Sequence, residues 1–441
     1  MLTRSITLLH ATALVVGIII GASIFVQPSA IAGAVPTLGA VYAVWIVSGL
    51  LTLCGALIAA ELASAYPQSG GVYVFLREAF SPGIAFLWGW AMFWTMHTGI
   101  IAAIGMVFAR YASFFFHVGD TGTRLLGVGA IALLSAVNYR GVRYGSLVQT
   151  TITIAKIGAV VTIIVVAFAI GAHGAVTPQV VQPSAGSGLT VNSFALALVA
   201  GLFAFGGWHM VTYSAEETRN PERTIPRALL FGVLLVTGCY MALNAAYFHV
   251  LSPQAIASST RVAADAADAV LGRGGAAVMS VVVTVSTFGA LNGIILAGPR
   301  VYMSMARDGL LWRWVGEIHP EYRTPHRAIV LQAIWAAVLL FSGTYRELFT
   351  RVVYTEWIFF ALMALGLMRL RGRADYAPAY RVWGYPVVPV VFAASSLYIV
   401  ANQLVSDPMK SVTGLALVAV GYPIYHRWLR HPTASRVVHA D

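Results

Sequence analysis

Gly17-Ile18-Ile19-Ile20-Gly21-Ala22-Ser23 and Phe203-Ala204-Phe205-Gly206-Gly207-Trp208 set small residues into the middle of two long apolar runs. Glycine costs a helix interior about 1 kcal/mol relative to alanine, so each cluster marks a place where a helix readily breaks. A break inside a membrane strands backbone N–H and C=O groups, and such backbone persists only where protein or a wet cavity covers it. The clusters stand five apolar runs apart, at matching positions of two halves of the chain. That pairing points to an inverted-repeat transporter with its site at the membrane midplane. Taken singly, either cluster also reads as a small-residue surface for close helix packing.

The remaining sequence agrees with a membrane setting. Of 441 residues, 59% are hydrophobic and 10% charged, against roughly 45–50% and about 25% in soluble domains. A water-soluble fold of this size is excluded. A spanning helix takes about 20 apolar residues, and twelve such runs centre near Ile19, Leu51, Met96, Ala130, Val160, Ala200, Val236, Thr287, Ala333, Ala361, Ala394 and Val418. With the N-terminus inside, nineteen of the twenty-seven Lys and Arg fall in cytoplasmic segments and seven outside. The positive-inside rule therefore puts both termini in the cytoplasm. It also accounts for the formal charge of +11 without a nucleic-acid partner.

No charged domain or low-complexity linker interrupts the chain, so it reads as one domain. Gly171 to Asn192, rich in Gly, Pro, Ser and Val and lacking Lys and Arg, reads as an external loop. Cys54 and Cys239 each sit inside an apolar run and read as packing residues, and no cluster of metal-ligand spacing accompanies them. No cofactor is expected.

Four stretches carry a family resemblance: Gly21-Ala22-Ser23-Ile24-Phe25-Val26-Gln27-Pro28; Glu61-Leu62 through Pro67-Gln68-Ser69-Gly70-Gly71-Val72-Tyr73; the Phe203–Trp208 cluster followed by Glu216-Glu217-Thr218-Arg219-Asn220-Pro221-Glu222-Arg223; and Pro299-Arg300-Val301-Tyr302 with Ala306-Arg307-Asp308-Gly309 and Thr324-Pro325-His326-Arg327-Ala328. In this order, and against these runs, they resemble the amino acid–polyamine–organocation superfamily, and most of all its L-type amino acid transporter branch with its prokaryotic relatives. The resemblance implies an all-α membrane protein of twelve transmembrane helices. It divides them into an inverted 5+5 repeat, over about 6–172 and 192–370, and two C-terminal helices over about 385–429, with helices 1 and 6 broken.

It also implies roles. The amides of Ala22, Ser23 and Ile24, at a half-helix N-terminus, would face a substrate carboxylate. Carbonyls of Phe203, Ala204 and Gly206 would face its ammonium. Ser23 departs from the family's usual glycine and is able to lend a hydroxyl to the pocket or narrow it. Phe203 and Trp208 read as gate residues beside the second break, and Trp357 as a wall of the side-chain pocket. Glu356 and His209 stay unassigned. For Glu61 a structural pairing with arginine is expected. Glu216, Glu217, Arg219 and Arg223 are expected to form a solvated network that also closes an inner gate.

Lys156 is the single cation assigned to a span interior. Counted from Leu147 it lies nine residues into its helix, about 14 Å along the axis at 1.5 Å per residue. A lysine at that depth costs about 2.5–3.5 kcal/mol on insertion scales and turns toward a bundle interior. It reads either as a tether for loose carbonyls or, by resemblance to sodium-independent members, as a coupling residue doing the work of a sodium ion.

Several function classes are disfavoured. A channel filter repeats carbonyl or charge rings by symmetry, and none is legible here. No Gly-x-Ser-x-Gly, His-Glu-x-x-His or P-loop appears, so enzymatic or ATP-driven chemistry has no motif. The expectation is a secondary active amino acid transporter in the cell (inner) membrane. It is read as a sodium-independent exchanger of small or medium neutral L-amino acids, with proton-coupled amino acid or polyamine symport as the alternative. The loop from His117 to Thr123 lacks the cysteine through which animal L-type transporters join a partner, so no disulfide-linked accessory subunit is expected.

Overall fold

Helix starts follow local capping chemistry. Thr7, Thr37, Ser81, Thr190 and Ser252 each accept a hydrogen bond from a backbone amide three residues on. Their oxygens satisfy donors that a helix N-terminus otherwise leaves free. Pro82 and Pro253 follow two of these caps, where a missing N–H costs nothing. The computed structural model describes residues 2–116, 118–170, 189–272, 274–343 and 345–430. Residues 171–188 of the expected external loop lie outside them.

Among the described residues there is no strand, and each of the twelve expected centres falls within a helix. Eight stretches are long and apolar enough to cross a membrane: Leu38–Ala65, Pro82–Phe116, Asp120–Tyr139, Val142–Ala169, Val191–Glu217, Pro221–Val250, Gly275–Arg307 and Val387–Ser406. Leu8–Ile19 and His326–Ser342 are shorter apolar helices. Large apolar side chains such as Leu133, Ile154, Val165 and Ile334 are more than half exposed. That outward face suits lipid, and the chain is an integral membrane protein.

The two small-residue clusters behave as breaks. The first helix ends at Ile19, a 3₁₀ turn runs over Ser23–Phe25, and helix resumes over Gln27–Ala34. The Val191–Ala204 helix stops before Phe205–Gly207 and continues as a 3₁₀ stretch, Trp208–Glu217. Gly207 has φ of 91°, and a Cβ there would come within 2.3 Å of the Ile18 side chain. Glycine is demanded twice over at that position. Gly17 has a packing reason, since a Cβ would meet Gln149 and Thr153 at 2.2 Å. A parallel bridge fastens the chain start to the end of the second broken helix, with Ile6 N donating to Glu217 O and Arg219 N to Ile6 O, each at 2.9 Å.

Glu61 is fully buried and pairs with Arg371 through two contacts, Nε to Oε1 at 2.8 Å and Nη2 to Oε2 at 2.6 Å. Val382 N donates to the same carboxylate at 2.6 Å. The expected arginine pairing of Glu61 is therefore present, and it anchors the segment after Leu370. Removing one partner of a buried pair leaves an uncompensated charge, which costs about 3–5 kcal/mol. Arg371→Ala should accordingly lower the thermal unfolding midpoint in detergent markedly, while Arg371→Lys lowers it less. Equal midpoints for wild type and Arg371→Ala would remove the anchoring role.

Candidate functional site

A helix that stops in mid-membrane leaves its last carbonyls without intrahelical partners. At the first break, side chains from other helices take them. The Lys156 ammonium, on the Val142–Ile170 helix, donates to Gly17 O at 2.8 Å, Ile20 O at 2.8 Å and Ser286 O at 3.1 Å. An ammonium has three donors, so all are used. Lys156 is 2% exposed, and its charge lies at the negative end of a half-helix dipole, where a cation is favoured. Ser286 adds its hydroxyl to Ile20 O at 3.1 Å.

Tyr240 joins the two breaks. Its hydroxyl lies 2.9 Å from Ile19 O and 2.9 Å from Ala204 O, one carbonyl from each broken helix. A phenol has one proton, so it donates to one of the two at a time. Tyr240 and Ser286 were not legible as site residues. The available signal was weak: a hydroxyl within an apolar run that needs a partner once buried.

Beyond the first break, the amides of Ala22, Ser23 and Ile24 have no acceptor among the described residues. At the second break, Phe203 O accepts from Gly206 N at 3.0 Å and Ala204 O is shared with Tyr240, whereas Gly206 O has no donor among the described residues. Ala22 and Ser23 at one break and Gly206 at the other border a common cavity of about 80 Å³. One water needs only about 10–15 Å³ on the same measure.

Ala22, Ser23, Phe203, Ala204, Gly206, Trp208 and Trp357 all line this cavity. Ile24 is fully buried outside the lining, and Lys156 stands behind the wall, on the carbonyls of the first break. Trp208 and Trp357 pack on Phe360 at ring-centroid distances of 5.3 and 5.6 Å. Glu356 is also in the lining, with Ile18, Ile100, Ile104 and Met210 contributing apolar surface.

The acidic cluster at the end of the second broken helix divides into two environments. Glu217 is fully buried, not solvated as expected, and Arg300, also fully buried, donates to it through Nε at 2.7 Å and Nη2 at 2.9 Å. Glu216 is partly exposed, paired with Arg307 at 2.9 Å and accepting from Ser69 N at 3.2 Å. Close by in sequence to Arg307, Asp308 meets Arg77 at 2.6 Å and Tyr73 at 2.7 Å. Arg219 reaches the Arg4 carbonyl at 3.3 Å.

The family model described as amino acid permease matches residues 6–424. The serine/threonine exchanger SteT of Bacillus subtilis (strain 168) is 31% identical over 429 residues, covering 96% of this chain and 97% of that protein. The b(0,+)-type amino acid transporter 1 of Mus musculus is 32% identical over 412 residues, covering 92% and 84%. The cystine/glutamate transporter of Homo sapiens is 29% identical over 445 residues, covering 99% and 88%.

Tyr240→Phe tests the link between the breaks. It removes one proton that two buried carbonyls share, a loss of about 1–3 kcal/mol where a polar group is left unpaired. The variant should fold and reach the membrane but bind or move substrate at least several-fold less well than wild type. Wild-type behaviour in Tyr240→Phe would reduce the contact to packing.

Proposed function

This chain belongs to the amino acid permease family, and from that premise we propose that it is a secondary active exchanger of small or medium neutral amino acids, working by alternating access and without sodium. The observation that carries this reading is the cavity where two broken helices meet, with unused backbone donors on one side and an unused carbonyl on the other. A zwitterion entering a dry interior needs partners for both charges. The amides of Ala22 and Ser23, the two of the expected three that border the cavity, serve its carboxylate, aided by the positive end of the half-helix. Gly206 O serves its ammonium first, with Phe203 O and Ala204 O completing the set. Phe203 and Trp208 close over the ligand, and Trp357 bounds its side chain.

The architecture that accompanies this reading is twelve spans in an inverted 5+5 repeat, 6–172 and 192–370, followed by two helices over 385–429. Both termini lie in the cytoplasm and the chain sits in the cell membrane. No disulfide-linked subunit is needed: Cys54 and Cys239 are free and lie within apolar helices. No enzymatic step is part of the reading. The exposed pairs of Glu216 with Arg307 and Asp308 with Arg77 form a gate at their end of the cavity, backed by the buried pair of Glu217 with Arg300.

Lys156 replaces a sodium ion. Its charge already occupies the carbonyls of the first break, so the half-helix is neutralised without a transported cation. A second reading, proton-coupled symport, is favoured by one observation: the Glu356 carboxylate in the lining has no arginine or lysine within ion-pair distance among the described residues.

Radiolabelled amino-acid uptake into proteoliposomes separates these readings. Uptake should rise with amino acid preloaded inside and change little when sodium replaces potassium outside. Dependence on an imposed proton gradient, without preloading, would favour symport. Lys156→Ala should be made and folded yet lose most transport; full activity in it, or strong sodium dependence in wild type, ends the coupling assignment.

Phe203→Ala should reduce turnover more than expression, because an aromatic over the ligand helps exclude water during closure. Unchanged uptake in a well-expressed variant would assign Phe203 to packing.

A further inference from the structure

Glu356 is the one ionisable side chain among the cavity-lining residues, on a wall that is otherwise apolar apart from Ser23, the Trp208 and Trp357 indoles and backbone. Its residue is 8% exposed and borders the cavity. Its single ion-pair-range contact among the described residues is His209 Nε2 at 3.4 Å, a contact without hydrogen-bond alignment.

His209 is fully buried and held by rings: Phe360 at 4.8 Å, Trp208 at 5.3 Å, Tyr213 at 5.5 Å and Trp88 at 6.2 Å between centroids. Among the described residues neither of its ring nitrogens has a hydrogen-bond partner, nor has the Tyr213 hydroxyl four residues on along the same 3₁₀ stretch. The other histidine of this region, His97, is engaged through Nε2 with Ile294 O at 2.8 Å. Buried polar groups are nearly always paired, and leaving them unpaired costs free energy. Here Glu356 reaches the cavity, and the His209 ring packed behind it has bonding capacity left over.

We propose that Glu356, oriented by His209, is the side-chain subsite of the cavity and selects neutral amino acids whose short side chain donates a hydrogen bond, a hydroxyl or a carboxamide, over apolar side chains of the same shape. The proposal rests on the transport reading above and deepens it. The other donor class, the long cationic stems of lysine and arginine, is set against this one in the test below. A backbone role for Glu356 is disfavoured because Gly206 O is already free for the ammonium. A site whose buried polar group needs a donor rejects the analogue lacking one far better than a hydrophobic pocket rejects an added methylene.

The test uses purified protein in proteoliposomes and two near-isosteric pairs, threonine against valine and asparagine against leucine. Wild type should favour threonine over valine, and asparagine over leucine, by roughly 10- to 100-fold in kcat/KM, the scale on which a buried polar group left without its partner discriminates. Glu356→Gln, which keeps an acceptor, should retain most of the preference. Glu356→Met, of similar shape without one, should bring both ratios close to one. Thermal stabilisation of the detergent-purified variants by threonine and by valine reads the same discrimination where a variant binds without transporting.

Equal handling of threonine and valine by wild type overturns the subsite without any variant. An unaltered ratio in Glu356→Met also overturns it, as does lysine or ornithine outcompeting threonine. Wild-type protein that exchanges no amino acid at all refutes the transport reading itself, which is a separate result from a loss of preference among amino acids that are exchanged.

Discussion

Carbonyls left over where a helix ends in mid-membrane have no water to turn to, and the groups that satisfy them organise this molecule. At the first break they belong to Gly17, Ile19 and Ile20, and they are met by Lys156, Tyr240 and Ser286 from three different helices. An unsatisfied backbone group in hydrocarbon costs several kcal/mol by the general penalty for burying polar groups. The three side chains are therefore held in place by the same carbonyls they satisfy. Moving the first broken helix means moving its partners, or exchanging one carbonyl for another.

Tyr240 makes that exchange concrete. One proton lies between a carbonyl of the first broken helix and a carbonyl of the second. The two breaks are thus bound by a bond that can shift from one to the other without a loss of hydrogen bonding overall. Close packing acts in the same place, since Gly207 admits Ile18 where any side chain would clash. Alternating access needs two helices that rearrange about a fixed ligand, and this junction supplies a soft polar link inside a tight apolar contact.

The ends of the molecule are built differently. Bidentate pairs on fully buried carboxylates, Glu217 with Arg300 and Glu61 with Arg371, tie distant segments together. Breaking such a pair strands a charge, so these contacts suit regions that hold together. Pairs near them, Glu216 with Arg307 and Arg77 with Asp308, keep partial exposure to solvent. Water can take over their hydrogen bonds, and exposed pairs of this kind contribute little to stability. Burial of the carboxylate thereby separates the two kinds of contact.

Composition and periodicity determine a great deal here, because the bilayer imposes one simple rule: long apolar runs must close their own hydrogen bonds as helices. The twelve run centres, the breaks at Gly21 and Gly206-Gly207, the buried station of Lys156 and the arginine partner expected for Glu61 were all legible for that reason. Local chemistry carries no information about which distant groups share a space. That Lys156 reaches Gly17 and Ile20, that Glu217 is sealed against Arg300 instead of solvated, that Ile24 lies behind the cavity wall, and that His209 packs beside Glu356 were decided only by tertiary packing. Ser286 and Tyr240 were missed on the same ground. A hydroxyl in an apolar run is legible as needing a partner, but the partner is a carbonyl exposed by a break elsewhere in the chain, and three-dimensional proximity alone selects it.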